Sequence, residues 1–239
     1  MTRTATDRRP LILAIDVGAG GHSVAIGAAA ETVVSSQRRS SAPRAEAGGL
    51  LAMIEGCLQD AGATRSAIGL VACTIGPGAF TGVRISVSVT QGLAMALGVP
   101  VCGVCSLDTL AQGAWRRHGW RRVLAALDAR MGEVYWRALA IDEATGLMRP
   151  AGPARLTAPE AVSIDVTDTP PWAGAGSGWT LISAQQPGIA VPVNVDAQLQ
   201  SDAVDLLAHA RLRWQAGEVV DPVALEPLYL RNTVTHGER

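Results

Sequence analysis

Apolar and polar positions along the first half of the chain follow two periods, one typical of strands and one typical of helices. A continuous apolar run over residues 11–16 predicts a buried strand, and further strands are predicted over 22–27 and 31–36. Residues 38–45 are expected to form an exposed loop. Apolar residues then recur at helical spacing over 46–61, which predicts a helix that ends before Gly62.

A glycine-rich connection follows the next predicted strand, over residues 70–74. It reads Gly76-Pro-Gly-Ala-Phe-Thr-Gly-Val-Arg and leads into a helix over 83–97, with Thr81 as the expected N-cap, and then into a strand over 101–104. Glycines let a loop approach another group closely, so the loop is a candidate anion cradle. It lacks the Lys-Ser/Thr ending of the usual phosphate loop.

The opening of the chain is repeated after a helix predicted over 107–118. Residues 123–128 form a second apolar run that ends in an aspartate, followed by a short turn and another strand, as in residues 11–16. The alternation of strands and helices predicts an α/β protein with a mixed sheet in each of two related halves. A nucleotide crevice would lie between the halves. A capped helix is predicted over 201–215, and an extended segment ends the chain.

Composition excludes several kinds of chemistry. The chain has 239 residues, 48% of them hydrophobic, and a formal net charge of −1. All 20 basic residues are arginines. Schiff-base lysines, phosphate-loop lysines and the kinase strand lysine are therefore excluded. The near-zero net charge argues against nucleic-acid binding driven by bulk charge.

The four cysteines lie in apolar segments, which is typical of reduced, buried thiols in a cytosolic protein. Cys102 and Cys105 form a C-x-x-C at a strand end, without the second ligand pair of a zinc site. No apolar run reaches the length of a signal peptide's core or a membrane span. We expect a cytoplasmic protein with no membrane contact and no bound metal.

Two groups of residues are candidates for binding. The first is a nucleotide or phosphate pocket at the strand ends and the glycine loop, formed by Asp16, Gly18, Gly76, Gly78 and Asp128. Carboxylates at strand ends suit magnesium held through water, but they also cap tight turns by accepting backbone N–H bonds.

The second candidate group is a cluster of four arginines beside Trp115 and Trp120, a composition that suits RNA phosphates. A solvated helix end next to packed tryptophans explains the cluster equally. Its members are Arg116, Arg117, Arg121 and Arg122.

Six segments, in this order, resemble the bacterial TsaB (YeaZ) family. The similarity extends over about residues 11 to 232 and is weakest over 142–200. The segments are Leu11-Ile-Leu-Ala-Ile-Asp-Val, Gly76-Pro-Gly-Ala-Phe-Thr-Gly-Val-Arg-Ile, Gln91-Gly-Leu-Ala, Ala111-Gln-Gly-Ala-Trp, Asp128-Ala-Arg-Met-Gly-Glu-Val-Tyr-Trp and Pro227-Leu-Tyr-Leu-Arg-Asn.

The resemblance implies a two-lobed fold of the actin, Hsp70 and sugar-kinase type. The lobes would cover residues 10–107 and 108–232, with the second half reduced and the last helix or tail crossing back to the first lobe. The implied function is in making N6-threonylcarbamoyladenosine next to the tRNA anticodon. The implied partners are a catalytic TsaD-like relative, a TsaE-like ATPase and, through the complex, tRNA.

The resemblance also implies that this chain is not the catalytic subunit. The catalytic relative carries a His-x-x-x-His metal pair on its first helix, where this chain reads Arg44-Ala-Glu-Ala-Gly-Gly-Leu. Glu46 has no partner one helical turn further on. Ala79 and Ser86 also depart from the family pattern, at positions where Ser and Gly are common. We expect no cofactor in the isolated chain, while ATP and magnesium belong to the complex.

The leading hypothesis is therefore a scaffold that pairs with the catalytic relative through a four-helix bundle of its first two helices. A homodimer through the same surface is expected when the partner is absent. The predicted contact residues are Leu50, Met53, Ile54, Cys57, Val87, Gln91 and Ala94. The alternative is an enzyme of the same fold, an ATP-dependent phosphotransferase or a glycopeptidase.

Overall fold

Two mixed β-sheets built to the same plan organise the computed structural model, which describes residues 10–18, 21–29, 34–40, 47–163, 171–185 and 194–231. The first half contains strands β1 (Leu11–Gly18), β2 (Gly21–Ala28), β3 (Val34–Ser40), β4 (Ile68–Thr74) and β5 (Val101–Val104), with helices α1 (Ala47–Asp60), α2 (Phe80–Leu97) and α3 (Ser106–His118). The second half contains β6 (Arg122–Arg130), β7 (Glu133–Asp142), β8 (Leu147–Pro150), β9 (Arg155–Thr157), β10 (Ala173–Ala175), α4 (Gly178–Gln185), β11 (Val195–Asp196) and α5 (Ala203–Gln215).

The strand order is the same in both sheets. The first sheet runs β3-β2-β1-β4-β5, with β1 antiparallel to β2 and parallel to β4. The second runs β8-β7-β6-β10-β11, with β6 antiparallel to β7 and parallel to β10, and β9 adds to β7. The predicted duplication is confirmed, and the chain has the two-lobed actin-like α/β fold.

Helices cover both faces of the first sheet. Leu13 and Ile15 on β1 point to the side of α1 and α2, while Ile12 and Ala14 pack against α5. A strand buried on both faces needs apolar residues at every position, which explains the uninterrupted run along β1.

The last helices of the two halves are exchanged. Helix α3, from the first half, packs on the second sheet, and α5, from the second half, packs on the first sheet and against α3. Helix α4 covers the other face of the second sheet, where Trp179 and Ile182 are buried against Leu124 and Ala126.

The edge strand β3 corrects one prediction. Residues 38–40, assigned to an exposed loop, belong to the strand, and Arg38 forms an ion pair with Asp60 of α1 at 2.9 Å. Most of β3 is exposed, so its polar residues give no apolar alternation to detect. Residues 31–33 and 41–46, including Glu46, lie outside the described residues.

Two helix starts also differ from the prediction. Helix α2 begins at Phe80, so Thr81 lies inside its first turn, and the N-cap Ala79 makes no side-chain capping bond. Helix α5 begins at Ala203, and its N-cap Asp202 accepts a hydrogen bond from the backbone N–H of Val204.

The four cysteines are buried and free, as predicted. Burial raises the pKa of the Cys73 thiol to about 12 and the pKa values of Cys102 and Cys105 to about 11. Thiols that stay protonated at neutral pH are poor nucleophiles and poor metal ligands. The C-x-x-C is therefore structural.

A bidentate ion pair joins the two exchanged helices. Arg116 of α3 donates from Nε to Oδ1 of Asp205 at 2.6 Å and from Nη2 to Oδ2 at 2.9 Å. The Asp205 side chain is only 1% exposed, and Gly113 leaves room for it, since a Cβ there would lie 2.9 Å from Oδ2. Burial raises the pKa of Asp205, and the guanidinium of Arg116 opposes that rise.

Replacing Arg116 tests how much this pair stabilises the fold. We expect Arg116→Ala to lower the free energy of unfolding by about 2–4 kcal/mol, because it leaves a buried carboxylate unpaired. The lower part of that range reflects the 41% exposure of the Arg116 side chain. Urea unfolding at pH 7 measures the change. The exposed neighbour Arg117 supplies the control, Arg117→Ala, which should stay within about 0.5 kcal/mol of the parent chain. Equal effects of the two substitutions would contradict this role.

Candidate functional site

Asp16, first of the predicted phosphate-pocket residues, is buried at the end of β1. Its Oδ1 accepts a hydrogen bond from the Thr74 hydroxyl at 2.7 Å, and its Oδ2 accepts one from the Ser201 hydroxyl at 2.8 Å. Burial raises the pKa of Asp16, the two hydroxyls oppose the rise, and the charge of Asp202 adds to it. The carboxyl thus ties β1 and β4 to the segment that leads into α5.

The glycines of the predicted pocket are placed against other parts of the chain. Gly18 lies beside Ser201, whose Oγ would be 3.6 Å from a Cβ at position 18. Gly76 has a φ of 99°, which favours glycine, and a Cβ there would lie 3.0 Å from the carbonyl oxygen of Leu228. Gly78 is packed near Val83. The C-terminal segment therefore occupies the space beside the glycine loop.

Asp128 matches the turn-capping alternative. Its carboxylate accepts hydrogen bonds from the Arg130 backbone N–H at 2.7 Å and from Arg130 Nη1 at 3.1 Å, in a turn where Arg130 and Met131 have positive φ. In the part of the chain that the structure describes, no hydrogen bond or ion pair connects Asp128 with Asp16 or Gly76. The structure brings together Asp16 and Gly18, but not the whole predicted pocket.

Nowhere among the described residues do three or more His, Cys, Asp or Glu side chains lie close enough together to hold a metal ion. Within the same ranges, no helix combines the length and the apolar character needed to cross a membrane.

The predicted contact residues on α1 and α2 need correction. Five of them, Leu50, Ile54, Cys57, Val87 and Ala94, are buried in the core between these helices and the first sheet. Of the other two, Met53 packs partly against that core. Gln91 donates from its amide to the carbonyl oxygens of Pro222 and Leu225, both at 3.1 Å. An apolar helical stripe is the face that the chain itself buries, so it is not available to a partner.

The opposite face of α1 and α2 is exposed, and by helical spacing it includes two charged residues, Glu55 one turn after Leu51 and Arg84 one turn before Ser88. Leu51 is 44% exposed and Met95 is 54% exposed. The exposed positions of the two helices also include six small residues: Gly48, Gly49, Ala52, Ser88, Gly92 and Ala96. We call this set, with Leu51 and Met95, the outer face.

An aromatic cluster that the sequence analysis missed lies at the start of α2. The exposed Phe80 ring is tilted against Tyr229, with centroids 6.0 Å apart, and the Arg84 guanidinium lies 3.7 Å from the Phe80 ring centre. Arg84 Nε also donates to the Tyr229 hydroxyl at 3.1 Å. A signal was available, because Phe80 is the one phenylalanine of the chain and lies in the glycine loop.

Most of the arginine cluster has partners within the chain. Arg116 pairs with Asp205, Arg121 forms an ion pair with Glu143, and the Arg122 guanidinium lies 5.0 Å from the Trp172 ring centre. Arg117 is exposed. Contact of this cluster with tRNA stays a prediction.

Comparison with known proteins identifies the family. A family model described as "TsaD: tRNA N6-adenosine threonylcarbamoyltransferase" matches residues 34–171. The tRNA threonylcarbamoyladenosine biosynthesis protein TsaB of Escherichia coli K12 is 37% identical over 193 residues, which are 80% of this chain and 83% of that protein. This chain belongs to the TsaB (YeaZ) family.

Two further relatives extend the similarity along the chain. The TsaB protein of Haemophilus influenzae is 29% identical over 198 residues, 78% of this chain and 80% of that protein. The crystal structure titled YeaZ from Pseudomonas aeruginosa superposes with a TM-score of 0.85 at 41% identity, covering 92% of this chain and all of that one. The similarity to TsaB proteins therefore includes both lobes.

The raised pKa of Asp16 gives a pH-dependent test in this TsaB-family chain. Because the folded chain holds this proton more tightly than the unfolded chain, the stability that Asp16 contributes is present below its unfolded pKa near 3.8 and is lost as pH rises through the folded pKa. Asp16→Asn removes the charge and keeps hydrogen bonding to Thr74 and Ser201. The stability of this variant relative to the parent should rise between about pH 3.5 and 7.

Asp142→Asn is a matched control of opposite sign. The Thr145 hydroxyl and the Ala144 backbone N–H lower the pKa of the exposed Asp142, so the relative stability of that variant should fall over the same pH range. Urea unfolding at several pH values measures both. A flat or falling difference for Asp16→Asn would contradict the effect of burial.

Proposed function

We propose that this TsaB-family chain is a non-catalytic subunit of the cytoplasmic machinery that makes threonylcarbamoyladenosine in tRNA, and that its outer face docks onto a TsaD-like catalytic subunit. The observation that carries the proposal is Gly92. It lies in the middle of α2, is exposed, and a Cβ there would meet no described atom within 4 Å.

Helix stability explains why Gly92 is informative. A glycine inside a helix lowers its stability by about 1 kcal/mol relative to alanine. Packing among the described residues gives no reason for that cost, since none of their atoms would lie within 4 Å of a Cβ at Gly92. A second helix that approaches α2 closely would require it, because a missing Cβ lets two backbones come nearer to each other.

The surroundings of Gly92 suit such a contact. Leu51 and Met95 provide exposed apolar side chains. Ala52, Ser88 and Ala96 have short exposed side chains, which would allow a partner helix to approach closely. Large apolar anchors among small residues are typical of a helix-to-helix interface that excludes water. The outer face would thus contribute two helices to a four-helix bundle.

A TsaD-like partner is favoured over other proteins. The family model that matches this chain is itself described as TsaD, so a TsaD-like protein would present helices that correspond to α1 and α2. Two related surfaces can pair by a pseudo-twofold rotation, as identical ones do in a homodimer. A homodimer through the outer face is the expected substitute when the partner is absent. A TsaE-like ATPase and tRNA would join at the level of the complex, together with ATP and magnesium.

The residues of the predicted pocket support a non-catalytic role. Both oxygens of Asp16 accept hydrogen bonds from hydroxyls of the chain itself, and the Asp128 carboxylate caps its own turn. A phosphotransferase needs a carboxylate that faces its substrate. The sequence also lacks a His-x-x-x-His pair.

Single glutamates on the outer face test the docking. Leu51→Glu and Met95→Glu should each weaken association with the co-expressed TsaD-like protein at least a hundredfold, because a charge would be buried in an apolar contact. Size-exclusion chromatography and titration calorimetry measure association, and circular dichroism melting checks the fold. Met131→Glu is the matched control, since Met131 is exposed in the turn between β6 and β7. Unchanged co-elution of both outer-face variants would refute the proposed interface.

Gly92 gives a second test, in which stability and association change in opposite directions. Gly92→Ala should stabilise the isolated chain by about 0.5–1 kcal/mol and weaken the complex, and Gly92→Leu should abolish the complex. Ala184→Leu, on the exposed side of α4, adds a comparable side chain elsewhere. Thermal unfolding and calorimetry distinguish these effects. A complex that tolerates Gly92→Leu would show that no helix packs there.

A further inference from the structure

A polar cavity of about 150 Å³ lies where α3, β7, β8 and α5 meet. Its charged and titratable lining residues are Asp108, Arg137, Arg149, His209, Arg213 and Glu218. None of the five residues predicted for a phosphate pocket lines it, so it is a separate site. The walls combine strands β7 and β8 of the second sheet with α5, the helix that packs on the first sheet.

One ion pair in the cavity wall consists of a carboxylate and a guanidinium whose charges neutralise each other. Both carboxylate oxygens of the buried Asp108 accept from Arg137 Nη1, at 2.9 and 3.2 Å, and Arg137 Nε donates to the Gly152 carbonyl at 2.9 Å. This pair therefore leaves little charge for a ligand.

The remaining charges in the wall are mostly positive. Arg213 donates from Nη1 to the Gly103 carbonyl at 2.8 Å and also contacts the Cys102 thiol, which leaves part of its guanidinium N–H donors unused. Arg149 Nε lies 3.8 Å from Asp142, too far for a hydrogen bond. Glu218 is exposed, so solvent screens its charge. Arg149 and Arg213 thus line the cavity, and each has more N–H donors than its contacts with Asp142 or with Gly103 and Cys102 use.

His209 adds an unusual acceptor. It is 5% exposed, and its Nε2 has no hydrogen-bond partner among the described residues. The backbone of Asp108 raises the pKa of the ring through a hydrogen bond, which we assign to Nδ1 because Nε2 is without a partner. Burial, and then the charge of Arg213, lower the pKa of His209 to about 4, so the ring is neutral at neutral pH and Nε2 carries a lone pair. A buried acceptor without a donor destabilises the fold, so a ligand that donates to it is favoured.

We propose that this cavity binds a small protonated oxyanion, of the hydrogen phosphate or hydrogen carbonate class. The anionic oxygens would accept from Arg149 and Arg213, and the remaining O–H would donate to Nε2 of His209. An anion without a proton, such as sulfate, would place an oxygen lone pair against the lone pair of Nε2. A water occupies about 30 Å³ of liquid volume, so the cavity has room for an anion of several heavy atoms.

The first experiment compares anions on the isolated full chain. Titration calorimetry near pH 7.5 uses sodium phosphate, sodium hydrogen carbonate and sodium sulfate at equal ionic strength. At least one of the two protonated anions should bind ten times or more tightly than sulfate, and the comparison of these two shows which one the site takes. Binding should also shift the ¹⁵N resonance of His209 Nε2, which accepts a new hydrogen bond.

Arginine variants locate the site. Arg149→Gln should weaken binding of the preferred anion at least tenfold, and its fold should persist because the Arg149 side chain is half exposed. Arg155→Gln makes the same charge change on neighbouring strand β9, outside the cavity, and should bind like the parent.

Three outcomes would overturn the proposal: equal affinity for all three anions, equal loss in both arginine variants, or no binding at roughly 10 mM. An Nε2 resonance that does not move on saturation would overturn it as well. Since these measurements use the chain alone, they are independent of whether it docks onto a TsaD-like protein.

Discussion

The exchange of α3 and α5 between the two halves is the constraint on which the rest of the structure depends. In each sheet, one face is covered by a helix from the other half of the chain, α5 on the first sheet and α3 on the second. The bidentate pair of Arg116 with the buried Asp205 fixes the two helices side by side, and Gly113 makes the close approach possible. Neither half can bury its sheet without the other, so the duplicated halves form one cooperative unit.

Both polar sites of the molecule follow from the path of α5. Its entry brings Ser201 to Asp16, a residue 185 positions earlier in the sequence, and closes the crevice end of β1 with a hydroxyl. Its last turns carry His209 and Arg213 to the second sheet, where they meet Arg149 of β8. The segment that leads into α5 thus covers Asp16 of the predicted phosphate pocket, and α5 itself lines a second cavity at a different place.

The apolar pattern of the sequence predicts the strands that are buried on both faces. It does not predict the full extent of the edge strand, most of which is exposed. Strand β1 is apolar throughout because helices cover both of its faces, and the repeat at β6 follows the same plan. Edge strand β3 is polar and was assigned in part to a loop. The prediction of the contact residues was wrong for a related reason. An apolar stripe shows that a helix face is covered, but it does not show whether the chain itself or a partner covers it. The first sheet of this chain covers Leu50 and Val87. The Asp16 to Ser201 bond joins segments too distant in sequence to be paired by spacing.

The surroundings of a glycine show whether packing within the chain requires a residue without a Cβ at that position. A Cβ at Gly176 would lie 2.4 Å from the Ala126 carbonyl oxygen, and one at Gly113 would lie 2.9 Å from Asp205, so the fold itself requires glycine at both. A Cβ at Gly92 would meet no described atom within 4 Å, yet Gly92, like Gly113, lies inside a helix, where glycine is less stable than alanine. A cost that no contact among the described residues explains points to an external surface. Apolar periodicity can be read from the sequence, but the neighbours of a glycine are visible only in the three-dimensional structure.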